Sequence, residues 1–230
     1  MSPLTVALFR AHEDALRSAE ALAARGLVAA LAPVVELAAT GAPPPPGRFD
    51  FIVASSAKAI ALARPEALAT GAPLYVVGEQ TAHAARRAGL APEVVVAEIA
   101  ALLPRLPKGR ALYLAGRDRK PDLEAALGAD AAMLIVYDAH ARRAWSEAEA
   151  RAVAAADAAL HYSARSAALA LALAEKAGIG AAFRRLPHVC LSRAAAAPLG
   201  GASRALWPAA PQEAALLDVL QSALADYAGR

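Results

Sequence analysis

Short apolar runs alternate along the chain with stretches in which apolar positions recur every three or four residues. Residues 4–9 form the first run. Helical spacing follows over 12–24, with Glu13 and Asp14 in the first turn, where the helix dipole favours anions. Gly26 ends that helix. Residues 27–37 are a second apolar run, broken at Pro33, and the proline run at 43–46 makes a stiff surface connection. Strands are then predicted over 49–54, 74–77, 93–96, 111–115, 131–137, 158–162 and 189–191. Helices are predicted over 57–63 (stopped near Pro65), 82–88, 99–106, 122–127, 146–156, 167–177 and from about 212 to 228. Strands that alternate with helices of this length imply an α/β fold, a parallel sheet with right-handed crossovers. The strands are apolar on both faces, as sheets covered by helices require.

Segments of the two halves resemble each other. Residues 51–60 resemble 159–167, 74–82 resemble 188–196, and 23–29 resemble 126–132. Ser163 follows Ser56 by 107 positions, Ser192 follows Gly78 by 114, and Gly128 follows Gly26 by 102. That period is too long for a solenoid and is about the size of one small α/β domain. Two domains of similar plan are expected, each a parallel sheet flanked by helices, with a cleft between them.

Composition trims the choices. Hydrophobic residues make up 58% and mean hydropathy is +0.37, yet 69 of the 230 residues are alanine, which raises hydropathy while filling little volume. No stretch of roughly 18 residues is free of charge, so no membrane span is expected, and the N-terminus lacks the basic flank of a signal peptide. Cys190 is alone, which excludes an intrachain disulfide and fits a reducing cytoplasm. The net charge of +3 permits an acidic ligand. With aromatics at only 5%, it does not argue for nucleic acid. Gly-x-Gly-x-x-Gly, Gly-Lys-Ser/Thr and Gly-x-Ser-x-Gly motifs are missing, and no two histidines have His-x-x-x-His spacing.

What remains is a set of small polar residues at strand ends: Ser55, Ser56, Thr81, Gly116, Ser163 and Ser192. Ligands of open parallel sheets bind outside the carboxyl ends of the strands, where the next helix offers unpaired N–H groups. A serine there is also simply a good helix cap. Taken together, the set describes a surface of hydroxyl and N–H donors suited to a ligand with several carboxylates. Arg10, Lys58, Arg117, Arg119, Lys120, Arg165 and Arg193 follow the same strand ends and add positive charge.

In order, these pieces resemble the uroporphyrinogen-III synthase family over nearly the whole chain. The carriers are Leu8-Phe9-Arg10, Leu31-Ala-Pro-Val-Val-Glu-Leu, Asp50-Phe-Ile-Val-Ala-Ser-Ser-Ala, Val77-Gly-Glu-Gln-Thr-Ala, Leu114-Ala-Gly-Arg-Asp, Ile135-Val-Tyr-Asp, Ala159-Leu-His-Tyr-Ser-Ala-Arg-Ser and Pro211-Gln-Glu-Ala-Ala-Leu-Leu. Three departures stand out. Leu191-Ser-Arg-Ala replaces the second Gly-x-x-Thr, Ala54 or Ser55 replaces the Thr of the first Thr-Ser pair, and Arg10-Ala11 replaces Arg-Pro.

The resemblance implies two flavodoxin-like domains, one of residues 1–34 with 141–230 and an inserted one of 38–138. They would be joined by two linker strands at about 33–40 and 136–142, which would allow hinge motion. It implies a monomeric cytoplasmic lyase of tetrapyrrole biosynthesis that needs no cofactor and no metal. The substrate would be hydroxymethylbilane, received in transient contact with hydroxymethylbilane synthase. The enzyme would close it into a macrocycle with ring D inverted and with loss of water. Tyr137, at the family's Val-Tyr position, is the implied general acid. A phenol, with a pKa of about 10 in water, carries its proton at neutral pH. Substrate carboxylates would meet Arg10, Ser55, Ser56, Gly78, Thr81, Gly116, Arg117, Ser163 and Ser192. The competing reading is a non-catalytic two-lobed binding protein for a small polycarboxylate.

Overall fold

The structure is a computed structural model that describes residues 3–119, 122–200 and 205–228. In chain order it runs β1 (Thr5–Leu8), α1 (His12–Ala23), β2 (Val28–Leu31), β3 (Val35–Ala39), β4 (Phe51–Ala54), α2 (Ala57–Ala61), α3 (Pro65–Leu68), β5 (Leu74–Val77), α4 (Glu79–Arg87), β6 (Pro92–Val96), α5 (Ile99–Leu102), β7 (Ala111–Gly116), α6 (Asp122–Leu127) and β8 (Ala132–Ala141). It continues through α7 (Glu147–Ala154), β9 (Ala158–His161), α8 (Ala164–Lys176), α9 (Gly180–Arg185), β10 (His188–Cys190), α10 (Arg193–Ala196), β11 (Ala205–Leu206) and α11 (Glu213–Ala228). The chain divides into two compact units, Met1–Glu36 with Ala141–Arg230, and Leu37–His140.

The first unit holds a sheet of order β11-β10-β9-β1-β2, parallel throughout its paired strands. Alternation along each strand gives it two apolar faces. Ala7, Phe9, Ala159 and Cys190 point to one core, and Val6, Leu8, Ala158, Leu160 and Val189 point to the other. The first core is built around a set of rings. Phe9 stacks on His161 with centroids 5.0 Å apart and on Trp145 at 5.7 Å, while Phe183 meets His188 edge-on at 4.8 Å. Trp145 Nε1 donates to the Pro33 carbonyl, which satisfies its polar end inside the core.

The second unit holds a sheet of order β3-β8-β7-β4-β5-β6. Ile52, Ala54, Leu112 and Leu114 face one core, and Phe51, Val53, Tyr113 and Ala115 face the other. Alanine decides how the helices sit. Ala59, Ala67, Ala82 and Ala85 are fully buried between α2, α3, α4 and the sheet, where a larger side chain would overpack.

Strands are equivalent across the two sheets by position. Reading β8-β7-β4-β5-β6 against β2-β1-β9-β10-β11 pairs β4 with β9, β5 with β10 and β8 with β2. These pairs contain the three similar segments of the sequence. The chain enters the two sheets at different points, so one wiring is a circular permutation of the other. Both sheets therefore have a switch point, between β4 and β7 in one and between β9 and β1 in the other. In open parallel sheets, ligands bind outside the strand ends at such a point.

The elements depart from sequence expectation in a few places. Pro65 does not stop a helix but opens α3, where its missing N–H costs nothing. Helix α4 starts at Glu79 and helix α8 at Ala164, each about one turn earlier than apolar spacing suggests, because their first turns are polar. Helices α9 and α10 and strand β11 are too short for a periodicity to register.

Candidate functional site

At the switch point of the second unit, β4 ends in Ser55-Ser56 and β7 ends in Gly116. Strand β8 has a bulge there. Ala115 pairs with Ile135 but Gly116 pairs with Tyr137, so Val136 is the extra residue. Simple alternation would send Tyr137 to the face of Met133 and Ile135. The bulge turns it to the face of Leu134 and Val136 instead. Gly116 completes the seat. A Cβ on it would lie 2.6 Å from the Tyr137 phenol oxygen and 2.8 Å from Cε2, so only glycine leaves room for the ring. The ring lines a cavity of about 260 Å³ together with Ser55, Ser56, Val77, Tyr113, Gly116, Asp118 and Arg119.

Two hydroxyl pairs occupy this cavity. Tyr137 Oη lies 3.3 Å from Ser56 Oγ, and Tyr113 Oη lies 3.2 Å from Ser55 Oγ. The basic side chains beside it are already engaged. Arg117 Nε donates to Asp138 Oδ2 at 2.6 Å, and that hydrogen bond is the main reason the Asp138 carboxyl titrates below the usual carboxylate range. Arg119 donates twice to Glu124 Oε2, at 2.7 and 3.1 Å. Gly78 and Thr81 sit one strand over. Gly78 caps α4 with φ at +86°, and Thr81 is buried under the first turn.

The serines at the first unit's strand ends behave differently. Ser163 Oγ accepts from Ser166 N at 3.1 Å and Ser192 Oγ accepts from Ala195 N at 3.2 Å, so both hydroxyls cap their helices. Ser56 holds the equivalent place before α2 but makes no cap bond, and its hydroxyl meets Tyr137 instead. Replacing Ser163 with Ala is accordingly expected to cost about 1 kcal/mol in urea unfolding, while Ser56→Ala costs well under half of that. Equal losses would contradict the difference in capping.

Arg10 is the remaining candidate in this unit. Its guanidinium lies 3.9 Å from the centroid of the Tyr162 ring and donates to Ser18 Oγ at 2.9 Å, with Glu213 Oε1 at 3.5 Å. Tyr162 and Ser18 also donate to Glu213 Oε1, at 2.6 and 3.0 Å. Burial first, and the Glu213 hydrogen bond next, push the Tyr162 phenol up to about 12.

A family model described as uroporphyrinogen-III synthase HemD matches residues 17–218. This chain belongs to the uroporphyrinogen-III synthase family. Among solved structures, uroporphyrinogen-III synthetase from Helicobacter pylori is similar at 16% identity, covering 95% of this chain and 99% of that one with a TM-score of 0.59, and so shares the fold. A mutant uroporphyrinogen III synthase from Thermus thermophilus matches at 20% identity, covering 97% of this chain and 99% of that one with a TM-score of 0.49. No curated protein sequence matches.

Of the residues singled out in the sequence, the structure brings Tyr137, Ser55, Ser56 and Gly116 into one cavity, with Arg117 beside it. Gly78 and Thr81 adjoin that group from β5 without lining the cavity, while Arg10, Ser163 and Ser192 stand at strand ends of the other unit. Lys120 lies outside the described residues. Sequence reasoning missed Tyr113, a residue only 3% exposed. Leu112-Tyr-Leu-Ala-Gly reads as plain core, and the available signal was a polar-tipped ring near the end of a strand that closes on Gly. Among the described residues, no group of three His, Cys, Asp or Glu is arranged to hold a metal ion, and no helix is long and apolar enough to cross a membrane.

Proposed function

We propose that this chain closes hydroxymethylbilane into uroporphyrinogen III and that Tyr137 is its general acid. The observation that carries the assignment is the seating of one phenol at the switch point by two separate devices, the bulge at Val136 and the missing side chain of Gly116. Neither device is needed merely to pack a tyrosine near the end of a strand. In this reading the phenol protonates the terminal hydroxyl, which departs as water and leaves an azafulvenium. The substituted carbon of the last pyrrole attacks to give a spirocyclic pyrrolenine, and rearrangement inverts ring D. Loss of one proton from carbon restores the aromatic ring and returns the proton spent at the start. The protein's larger task is positioning, because unguided closure gives the symmetric isomer.

The substrate carboxylates are assigned to the strand-end donors outside that cavity: Arg10, Ser163 and Ser192 in one unit and Gly78, Thr81 and Arg117 in the other. Their hydroxyls and guanidiniums are largely committed to internal partners, which supports a grip made mainly by main-chain N–H groups. The chain is placed in the cytoplasm as a monomer supplied by hydroxymethylbilane synthase, in keeping with its single thiol. Nothing in the family match favours the competing reading of a non-catalytic binding protein.

The test supplies hydroxymethylbilane from a coupled deaminase, oxidises the products and separates isomers I and III. Wild type is expected to give isomer III. Tyr137→Phe is expected to turn over about 100-fold more slowly with an unchanged melting temperature, the lower end of the range for loss of one positioned acid. Turnover equal to wild type would refute the assignment.

A further inference from the structure

We propose that Tyr113, acting through Ser55, is a positioning residue that aims the leaving hydroxyl of the substrate at Tyr137; this rests on the reading of Tyr137 given above. The geometry is that of two phenol–serine pairs, built on the adjacent Ser55 and Ser56 of one strand end, that line the same cavity. Their oxygen separations, 3.2 and 3.3 Å, exceed the 2.7–2.8 Å usual for O–H···O bonds. A serine or tyrosine hydroxyl has one donor and spare acceptor capacity. Both pairs can therefore bond a third oxygen beside them.

The nature of that oxygen follows from the charges around it. Asp118 lines the cavity, and Arg119, the guanidinium that lines it, is bound to Glu124. An arriving carboxylate would meet no uncommitted guanidinium along this lining. A neutral hydroxyl meets four hydroxyl groups and can both donate and accept. Of the groups on the substrate, only the terminal hydroxymethyl is a neutral hydroxyl.

Departure of that hydroxyl as water needs a proton delivered to an oxygen lone pair. Its own O–H must then point elsewhere. If Tyr137 donates, Ser55 Oγ accepts the substrate O–H, and the Tyr113 phenol holds Ser55 in place. Tyr113 is rigid enough to do so, because its ring is buried in the core formed with Phe51, Val53 and Ala115. The proton count is unchanged, since Tyr113 and Ser55 only orient.

The test is a kinetic cycle of Tyr113→Phe, Ser55→Ala and the double variant in the isomer assay, with Tyr137→Phe measured alongside. Tyr113→Phe is expected to lower kcat about 5- to 10-fold with KM within about twofold, as for a lost orienting contact. Ser55→Ala should match it, and the double variant should be no slower than the slower single, because both remove one pair. A merely structural role would lower the melting temperature and leave kcat of the folded protein unchanged. The inference is overturned if Tyr113→Phe keeps wild-type kcat while Tyr137→Phe is slow, or if the two losses multiply. If Tyr137→Phe itself turns over like wild type, the reading of the acid falls and takes this inference with it.

Discussion

Acidification from pH 7 to pH 5 is expected to remove about 3–4 kcal/mol from the stability of the unit that contains His161 and His188, measured as urea unfolding at a series of pH values. Both imidazoles are fully buried, and His161 Nε2 lies 2.9 Å from His188 Nδ1. The tautomers follow from the partners. His188 Nε2 is 3.0 Å from the Phe183 carbonyl, which can only accept, so Nε2 carries the hydrogen and Nδ1 is a bare acceptor. His161 must then donate from Nε2, which leaves its own Nδ1 as a lone pair with no partner. Protonating that nitrogen would put a charge between Phe9 and Phe183 with nothing to accept its hydrogen. Cys190 pairs with His161 on the adjacent strand but offers no counter-charge, because burial pushes its thiol up to about 12.

Burial accordingly holds His161 well below its ordinary value and His188 down to about 4. The unfolded chain takes up both protons near pH 6.5, and the folded chain does not until much lower pH. Stability is thus full above about pH 6.5. It falls as the pH drops through the window down to about 4, by about 1.4 kcal/mol per pH unit for each imidazole. With total stabilities of about 5–15 kcal/mol typical, this is a large share. His161→Phe should keep the fold and roughly halve the slope. A pH-independent midpoint in the wild type would show that the pair does not stay neutral in the folded state.

The parts of the fold that sequence reasoning reached are those with a local signal. Strand Leu74–Val77 and helix Asp122–Leu127 are bounded by Pro and Gly and match residue for residue. The paired segments around Ser56 and Ser163 do lie on equivalent strands, because each is a whole strand–cap–helix unit written in consecutive residues. The circular permutation that relates the two sheets is a property of pairing across long separations, and no local pattern carries it. The same divide runs through the site. Strand-end serines are visible as a class, but whether a hydroxyl caps its helix, as at Ser163, or turns away, as at Ser56, depends on what the neighbouring strand presents. At Ser56 that neighbour is Tyr137, delivered by a bulge in a strand whose plain alternation points the ring to the opposite face. Family likeness could single out Tyr137. It could not show why the ring arrives there.

Replacement of Gly116 by alanine is expected to reduce isomer III formation about 100-fold while the protein remains folded, an effect as large as removing the acid itself. The reasoning is steric and confined to one ring. Gly116 lacks the positive φ seen at Gly78, so alanine strains no backbone. Its Cβ would fall 2.6 Å from the phenol oxygen and 2.8 Å from Cε2 of Tyr137, and the ring must leave its place to relieve the overlap. Moving the phenol breaks its approach to Ser56 and takes the proton away from the cavity. The cost in folding is that of modest overpacking at a half-buried ring, about 1–3 kcal/mol. Combining the change with Tyr137→Ala separates the two consequences. The double variant should regain most of the lost stability, since the ring that clashed is gone, and regain none of the activity. Gly116→Ala with wild-type turnover would mean that the phenol works from some other position, and the cavity at the β4–β7 switch point would lose its claim to the chemistry.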